Sequence, residues 1–201
     1  MVSAKEESLS FIALKGQQGL SEFRLKALLE LIREDFSQIQ AINCEDFFFS
    51  SLHYQSNELI KPTENELSKI LKAKVFKKEL KANQFILIPR VGTISPWSSK
   101  ATDILINAGL DSLKRIEKGL CFSLEIPLEL GKDSIKNIGQ KIYDRMTQSV
   151  ITDISSAEHL FRQLQPKPVL AIDILKEGKK SLYEANDSLG LALSEEEIEY
   201  L

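Results

Sequence analysis

The polar residues best placed for chemistry lie in one short loop, residues 90–100. An apolar run, residues 85–88, predicts a buried strand that ends at Pro89, and Ser95-Pro96 predicts the start of a helix. The first turn of a helix presents unpaired amides and a partial positive charge, which suit an anion. The candidate side chains are Arg90, Thr93, Ser95, Trp97, Ser98, Ser99 and Lys100.

The same loop supports a second interpretation, in which it packs against another domain. Trp97 offers a large apolar surface with one N–H donor, and the serines can cap the helix. We favour this packing or interface role over direct ligand binding, and the sequence leaves both open. The alternative function is an independent regulatory module that binds a phosphate or a nucleotide at the 93–100 loop.

The remaining reactive side chains predict no catalytic or metal site. Cys44 and Cys121 lie in apolar, strand-like surroundings, where a cysteine usually behaves as a small hydrophobic residue. A nucleophilic cysteine would need a nearby base or a positive helix end, and neither is indicated. His53 and His159 share no ligand spacing with the cysteines. We therefore expect no catalytic residue and no metal ligand.

Composition narrows the class of protein. The 201 residues are 43% hydrophobic and 27% charged, which is ordinary for a soluble globular protein. A net charge of -3 argues against a broad grip on nucleic acid or on an anionic membrane. The longest early apolar stretch, residues 11–14, is too short for a signal peptide or a membrane span. We expect a cytoplasmic location.

The spacing of apolar residues predicts strands and helices in the order βαβα, twice. The expected strands are residues 10–15, 44–50, 85–88 and 116–126, and the expected helices follow Ser21, Thr63, Ser95 and Gly131. This alternation, without a glycine-rich nucleotide fingerprint, indicates an α+β fold. It consists of two ferredoxin-like (βαβ) halves that form an antiparallel sheet covered by helices. A doubly wound sheet is the alternative.

Four local features sharpen this prediction. Gly16 and Gly19 are expected to end the first strand, and Gly119 to mark a bulge in a strand that has one solvated face. A Thr63–Glu66 capping box is expected to open a helix at about residues 64–76. The last helix of this series is expected to continue through Val150, because its apolar residues keep helical spacing.

The composition changes at residues 165–168, where two prolines in three residues disfavour helix. We assign residues 1–152 to the amino-terminal ferredoxin-like domain and residues 153–201 to the start of a small, mostly helical linker segment. A capping box at Ser194–Glu197 opens a last helix, and short helices are marginal without packing partners. We therefore expect the polypeptide to continue beyond Leu201.

Residues 89–104 read PRVGTISPWSSKATDI. They resemble the signature of the amino-terminal domain of large, single-chain phosphoribosylformylglycinamidine synthases. Supporting matches are residues 115–119, 143–147, 158–161, 185–186, 190–193 and 197–201. The chain departs from the family at Val91, where proline is usual, and it matches poorly over residues 55–82.

The resemblance implies what the complete enzyme does. It converts formylglycinamide ribonucleotide, ATP and glutamine into formylglycinamidine ribonucleotide, ADP, phosphate and glutamate. Its ligase domains, which use ATP and magnesium, and its glutaminase domain with a cysteine nucleophile would lie downstream of Leu201.

The amino-terminal domain is similar to the small subunit of multi-subunit synthases, where a dimer helps to join synthetase to glutaminase. We therefore expect a scaffold that shapes the ammonia route and is inactive and free of cofactors alone. Its partners would be the missing ligase and glutaminase domains, and a homodimer stays open.

Overall fold

Alternating apolar residues build a six-stranded antiparallel sheet in the computed structural model, which describes residues 10–53, 57–126, 131–162 and 168–201. The chain divides into two compact units, residues 1–163 and 164–201. The sheet and four helices belong to the first unit.

The strands of the first unit are β1 Ser10–Gln18, β2 Ala41–Leu52, β3 Lys74–Val75, β4 Gln84–Pro89, β5 Leu113–Glu125 and β6 Gln148–Ile151. Its helices are α1 Glu22–Arg33, α2 Asn57–Ile70, α3 Pro96–Asn107 and α4 Lys132–Ile142, followed by a 3-10 helix, Ser155–Phe161. The second unit contains α5 Ile174–Glu177, α6 Lys179–Leu189 and α7 Glu195–Tyr200.

The strand order is β3-β1-β2-β5-β4-β6, and every neighbouring pair is antiparallel. The series β1-α1-β2-α2-β3 and β4-α3-β5-α4-β6 occupy equivalent places on either side of the central β2–β5 pair. The sheet is therefore two βαβ-based halves related by a pseudo-twofold axis. The predicted α+β class, with an antiparallel sheet covered by helices, is confirmed.

Helices α1 to α4 cover one face of the sheet in two pairs. Helices α1 and α4 bury Leu25, Ile32, Ile135 and Ile138 against the start of β2 and the end of β5. Helices α2 and α3 bury apolar residues against the end of β2 and the start of β5, among them Leu67 and Leu105. Burial of such residues supplies most of the stabilisation of an amphipathic helix.

The opposite face of the sheet carries a third apolar cluster. Phe47 and Phe49 of β2 lie there with Ile86 and Ile88 of β4. The 3-10 helix covers this cluster with Ala157, Leu160 and Phe161. Three consecutive phenylalanines therefore serve both faces, as strand alternation requires, and they pack in the protein core.

The glycines of β1 and β5 permit close packing and do not interrupt the strands. Strand β1 continues past Gly16 and ends at Gln18, directly before Gly19, so the predicted end at Gly16 is wrong and the role of Gly19 is confirmed. The β2–β5 register is regular around Gly119, so the predicted bulge is also wrong. A Cβ at Gly119 would lie 2.9 Å from the carbonyl oxygen of Leu87. Glycine is needed there because β4 approaches closely.

Strand β5 is buried on both faces. Cys121 and Phe122 point to opposite faces, and each is only 1% exposed. The predicted solvated face is wrong because the 3-10 helix and its neighbours cover the side that alternation alone leaves to water.

Helix α2 starts earlier than its sequence pattern suggests. It begins at Asn57 and includes Pro62, so the predicted Thr63–Glu66 capping box does not open it. Thr63 is buried, and its Oγ1 lies 2.8 Å from Oγ of Ser112. The Thr63 hydroxyl, which would have capped the helix in the predicted capping box, instead forms a hydrogen bond with a residue distant in the sequence.

Helix α4 ends at Ile142, and the chain turns back to form β6. The Asp144 carboxylate accepts hydrogen bonds from the backbone amide of Met146 at 2.8 Å and from Oγ1 of Thr147 at 2.7 Å. These bonds lower the pKa of Asp144 from its ordinary value. The predicted helix through Val150 is wrong, because Val150 reaches the core from a strand.

In the second unit, Leu182 and Ala185 of α6 and Ile198 of α7 are buried. The capping box at Ser194 and Glu197 is confirmed, because each side chain accepts from the other residue's backbone amide. In the described part of the chain, no helix combines the length and the apolar character that crossing a membrane requires.

Replacing Gly119 with alanine tests the close approach of β4. We expect Gly119→Ala to lower the free energy of unfolding by about 2 kcal/mol, because the new methyl group meets a backbone carbonyl that cannot move freely. Gly131→Ala is the matched control: its φ is -63° and no atom lies within 4 Å of an added Cβ. Urea denaturation measures both variants. Equal loss in the two variants would contradict the packing explanation.

Candidate functional site

A tight turn joins β4 to the loop before α3. The Arg90 carbonyl accepts from the Thr93 backbone amide at 3.1 Å and from its Oγ1 at 2.7 Å. Gly92, at the third position of this turn, has φ 87°, a left-handed value that glycine adopts without strain. The preceding position, Val91, is where proline favours such a turn. Two hydrogen bonds thus hold the chain in a defined shape.

Helix α3 is anchored to β5 at its first turn. Oγ of Ser95 accepts from the Ser98 amide at 3.0 Å and donates to Oε2 of Glu117 at 2.6 Å. The Ser95 amide donates to the other carboxylate oxygen of Glu117 at 3.2 Å. One turn later, Oγ1 of Thr102 accepts from the Ile116 amide at 3.2 Å. These bonds fix the position of the helix on the sheet.

Glu117 is fully buried, and Arg115 is its nearest cation. An Nη of Arg115 lies 3.7 Å from Oε1 of Glu117 and also donates to the Leu160 carbonyl of the 3-10 helix. The guanidinium lies over the Phe161 ring, 5.0 Å from its centroid. Burial lowers the pKa of Arg115 from its ordinary value, and the Glu117 carboxylate opposes that shift. The pair therefore connects α3, β5 and the 3-10 helix.

The indole of Trp97 lies at the surface of this anchored helix. Its ring centroid is 5.8 Å from that of Phe48, and Lys118 lies over the same phenylalanine at 5.9 Å. Lys118 also pairs with Asp46 at 2.8 Å. The aromatic and charged contacts hold one side of the indole against the sheet, and the other side is accessible.

An open cavity of about 560 Å³ adjoins the indole. Three large apolar side chains that line it are exposed, Ile94 by 59%, Trp97 by 36% and Met146 by 74%. A soluble protein rarely leaves adjoining large apolar side chains exposed unless they contact something. The cavity wall is therefore a candidate contact surface, and we call these three residues the Trp97 surface.

The predicted site residues of the loop do not lie together. Thr93, Ser95 and Trp97 line the 560 Å³ cavity. Ser98 is fully buried in the first turn of α3. Ser99 and Lys100 are exposed on α3 and line neither this cavity nor the next one. The loop therefore does not gather all its polar side chains at one point.

Arg90 does not line the 560 Å³ cavity. It lines a second open cavity, of about 330 Å³, together with Arg145 and Tyr143. The Arg90 amide donates to the Thr147 carbonyl at 2.8 Å. The structure thus brings together two segments that carry the family resemblance, residues 89–104 and 143–147.

The two cysteines are inert in this fold. Burial raises the pKa of Cys44 and of Cys121 to about 12, and nearby carboxylates add to the effect. Both thiols stay protonated near neutral pH, which removes the nucleophilic form. They belong to clusters on opposite faces of the sheet.

The sequence predicts no metal or cofactor site in this chain. Among residues 10–53, 57–126, 131–162 and 168–201, no three or more histidine, cysteine, aspartate or glutamate side chains are grouped to hold a metal ion. Glu117 of β5, the buried carboxylate next to the loop, accepts hydrogen bonds from Ser95 and forms an ion pair with Arg115.

Sequence reasoning missed the roles of Glu117 and Arg115, although their segment supported the family resemblance. Their charge alone gave little signal, because Lys114, Lys118 and Glu125 of the same strand are charged as well. Sequence could not name Ser95 as the partner of Glu117, since it lies 22 positions away.

One comparison with known proteins identifies the chain. Residues 47–161 match the sequence model of a family described as formylglycinamide ribonucleotide amidotransferase N-terminal. The match covers more than half of the chain, and it includes α3, Glu117 and both arginines of the second cavity.

Substitutions in the 90–93 turn test its geometry. We expect Val91→Pro to raise the free energy of unfolding by about 0.5 kcal/mol, because proline restricts the unfolded chain at a compatible turn position. Gly92→Ala should lower it by about 1 kcal/mol, because alanine is strained at φ 87°. Thermal denaturation followed by circular dichroism measures both changes. Stabilisation by Gly92→Ala would show that this turn geometry is wrong.

A second pair of substitutions tests the buried carboxylate. We expect Glu117→Gln to lower the free energy of unfolding by about 3 kcal/mol, because Arg115 loses its counter-ion. The matched control is Glu45→Gln, which removes a half-exposed partner of Lys15 at 2.7 Å and should cost less than about 1 kcal/mol. Chemical denaturation compares them, and equal losses would contradict the anchoring role of Glu117.

Proposed function

Because the chain belongs to the formylglycinamide ribonucleotide amidotransferase N-terminal family, the N-terminal domain of phosphoribosylformylglycinamidine synthase, we propose that it serves this purine-biosynthesis enzyme as a scaffold. In this role it positions other domains and performs no step of the reaction. The proposal combines the family assignment with the anchored, outward-facing surface on α3.

The observation that carries the proposal is a rigid support beneath exposed apolar side chains. Glu117 and Ser95 fix the start of α3 from below, while Ile94 and Trp97 face outward with Met146. An interface gains most when its anchor residues are ordered before binding, because less conformational entropy is lost. Tryptophan is also the residue type most often found at the energetic centre of an interface.

We propose that the partners are the ligase and glutaminase domains of the same polypeptide. In the complete enzyme, glutamine supplies ammonia, and ATP with magnesium drives its addition to formylglycinamide ribonucleotide. We propose that this chemistry takes place in those other domains. The scaffold would hold the two catalytic domains in register and shape the ammonia route between them.

This proposal includes the setting of the enzyme. We place it in the cytoplasm, where the two free, buried cysteines would stay reduced. The 201-residue chain alone is expected to hydrolyse neither ATP nor glutamine. A homodimer through the Trp97 surface is the competing arrangement, by analogy with the small subunit that the chain resembles.

The regulatory-module alternative uses the 93–100 loop to bind phosphate or nucleotide. One feature favours it, because a capped helix start faces an open cavity. Yet the buried Glu117 carboxylate already accepts hydrogen bonds from Ser95 at this helix end. An added anion would be repelled by that carboxylate. The scaffold role is therefore the better-supported proposal.

The coupling between domains can be measured in the complete synthase. We expect Trp97→Ala to reduce glutamine-dependent product formation about tenfold, since truncating an interface anchor costs more than about 1 kcal/mol. Turnover with added ammonium should stay within about twofold, because the ligase site is intact. The control is Phe23→Ala, an exposed aromatic residue on α1 outside the cavity.

Three outcomes would contradict the scaffold proposal. Equal loss of both activities would place Trp97 in the chemistry, and no loss would remove it from the coupling. Hydrolysis of ATP or glutamine by the 201-residue chain alone would show that the domain is catalytic.

Analytical ultracentrifugation of the 201-residue chain tests the homodimer arrangement. That arrangement predicts self-association that Trp97→Ala weakens.

A further inference from the structure

The second cavity, of about 330 Å³, has the polar character of an anion site. It is lined by Arg90, Gln140, Tyr143, Arg145, Gln148, Ser149 and Val150. It lies beside β6, on the edge of the sheet opposite to β3. We call it the two-arginine cavity.

The two arginines come from distant parts of the sequence and are brought together by the backbone. Arg90 follows β4, and Arg145 lies in the turn between α4 and β6. The Arg90 amide donates to the Thr147 carbonyl at 2.8 Å, and β4 pairs with β6 at Pro89 and Gln148. The separation of the two segments is therefore set by a strand ladder and not by side-chain contact.

Neither arginine is neutralised within the described chain. The lining contains no aspartate or glutamate, and neither guanidinium forms an ion pair with a carboxylate of the described residues. The adjacent acid, Asp144, uses its two oxygens to accept from Met146 and Thr147.

The two carboxylates that directly follow α1 are committed as well. Lys141 of α4 pairs with Asp35 at 2.5 Å and with Glu34 at 3.5 Å. These acids, at the end of α1, balance a cation that does not line the cavity. Two positive charges therefore persist in one concavity of a chain whose net charge is -3.

The other polar groups of the cavity can donate hydrogen bonds. Tyr143 and Ser149 carry hydroxyl groups, and Gln140 carries an amide NH2. Oε1 of Gln148 already accepts from the Asp144 amide at 3.0 Å, which leaves its NH2 as the free end. Guanidinium forks with surrounding N–H and O–H donors match the oxygens of phosphate in geometry and charge.

We propose that the two-arginine cavity binds a small oxyanion of the phosphate-monoester class. Arg90 and Arg145 grip the phosphate oxygens from two sides, and Tyr143, Gln140 and Gln148 donate the remaining hydrogen bonds. A volume of about 330 Å³ admits a phosphate with a small attached group. This site differs from the 93–100 loop, because Lys100 and Ser99 do not line it, and it does not depend on the scaffold role.

A titration of the 201-residue chain with inorganic phosphate tests the proposal. Backbone amide shifts of residues 140–150 in nitrogen–proton NMR spectra should change saturably, while those of α1 should not. Arg145→Gln and Arg90→Gln should each raise the dissociation constant for phosphate about tenfold, because each removes a charged hydrogen-bond donor. Arg145→Lys should give an intermediate value, because lysine keeps the charge and loses the fork.

Two control variants locate the effect. Lys100→Gln removes a cation of the 93–100 loop, and Arg24→Gln removes an exposed arginine of α1. Neither should change phosphate affinity. Loss of binding in Lys100→Gln, or unchanged binding in both arginine variants of the cavity, would overturn the proposal. Absence of saturable shifts in the wild-type chain would also overturn it.

The class of ligand is tested with two further probes. Ribose 5-phosphate should bind at least as tightly as inorganic phosphate, because its phosphate monoester occupies the same donors. Acetate should bind at least about tenfold more weakly, because it has fewer oxygens and a single charge. Acetate binding equal to that of phosphate would replace the phosphate-monoester class with a carboxylate.

Discussion

The burial of one carboxylate constrains the candidate site. Glu117 is fully enclosed, and a buried charge is tolerated only when hydrogen bonds and a cation compensate for lost water. Its partners are the amide and hydroxyl of Ser95 and the guanidinium of Arg115. Through them, one side chain ties the start of α3 to β5 and to the 3-10 helix. The position of the outward-facing loop follows from this requirement.

The sheet supplies the frame on which that constraint acts. Its two halves place α1 with α4 and α2 with α3 over separate clusters on one face, around the central β2–β5 pair. The pseudo-twofold arrangement is broken where function is proposed. Only the second half carries the Glu117 network and the two arginines, and the 3-10 helix covers the other face. The shared frame explains the fold, and the asymmetric residues carry the proposed roles.

Two kinds of surface meet where β4 ends. The Trp97 surface is apolar and suits a permanent contact, whereas the neighbouring two-arginine cavity suits a charged small molecule. Gln148 lines both cavities, and the Arg90–Thr147 hydrogen bond connects their walls. Both cavities therefore adjoin one short strand pair, β4 with β6. The family to which the chain belongs gives both surfaces a setting in a purine-biosynthesis enzyme.

The sequence by itself determined the features that depend on neighbours along the chain. Ser21, Ser95 and Ser194 cap helices, and the spacing of Leu25 and Ile32 predicts the buried face of α1, because these signals act within a few residues. Tertiary structure decided the rest. Thr63 forms a hydrogen bond with Ser112 and does not cap a helix, β4 packs too closely on Gly119 for a side chain, and Val150 reaches the core from a strand. The tertiary structure also joined Glu117 to Ser95 by hydrogen bonds and placed Arg90 and Arg145 in the lining of one cavity. Contacts between distant residues depend on how strands align, and no local pattern encodes that alignment.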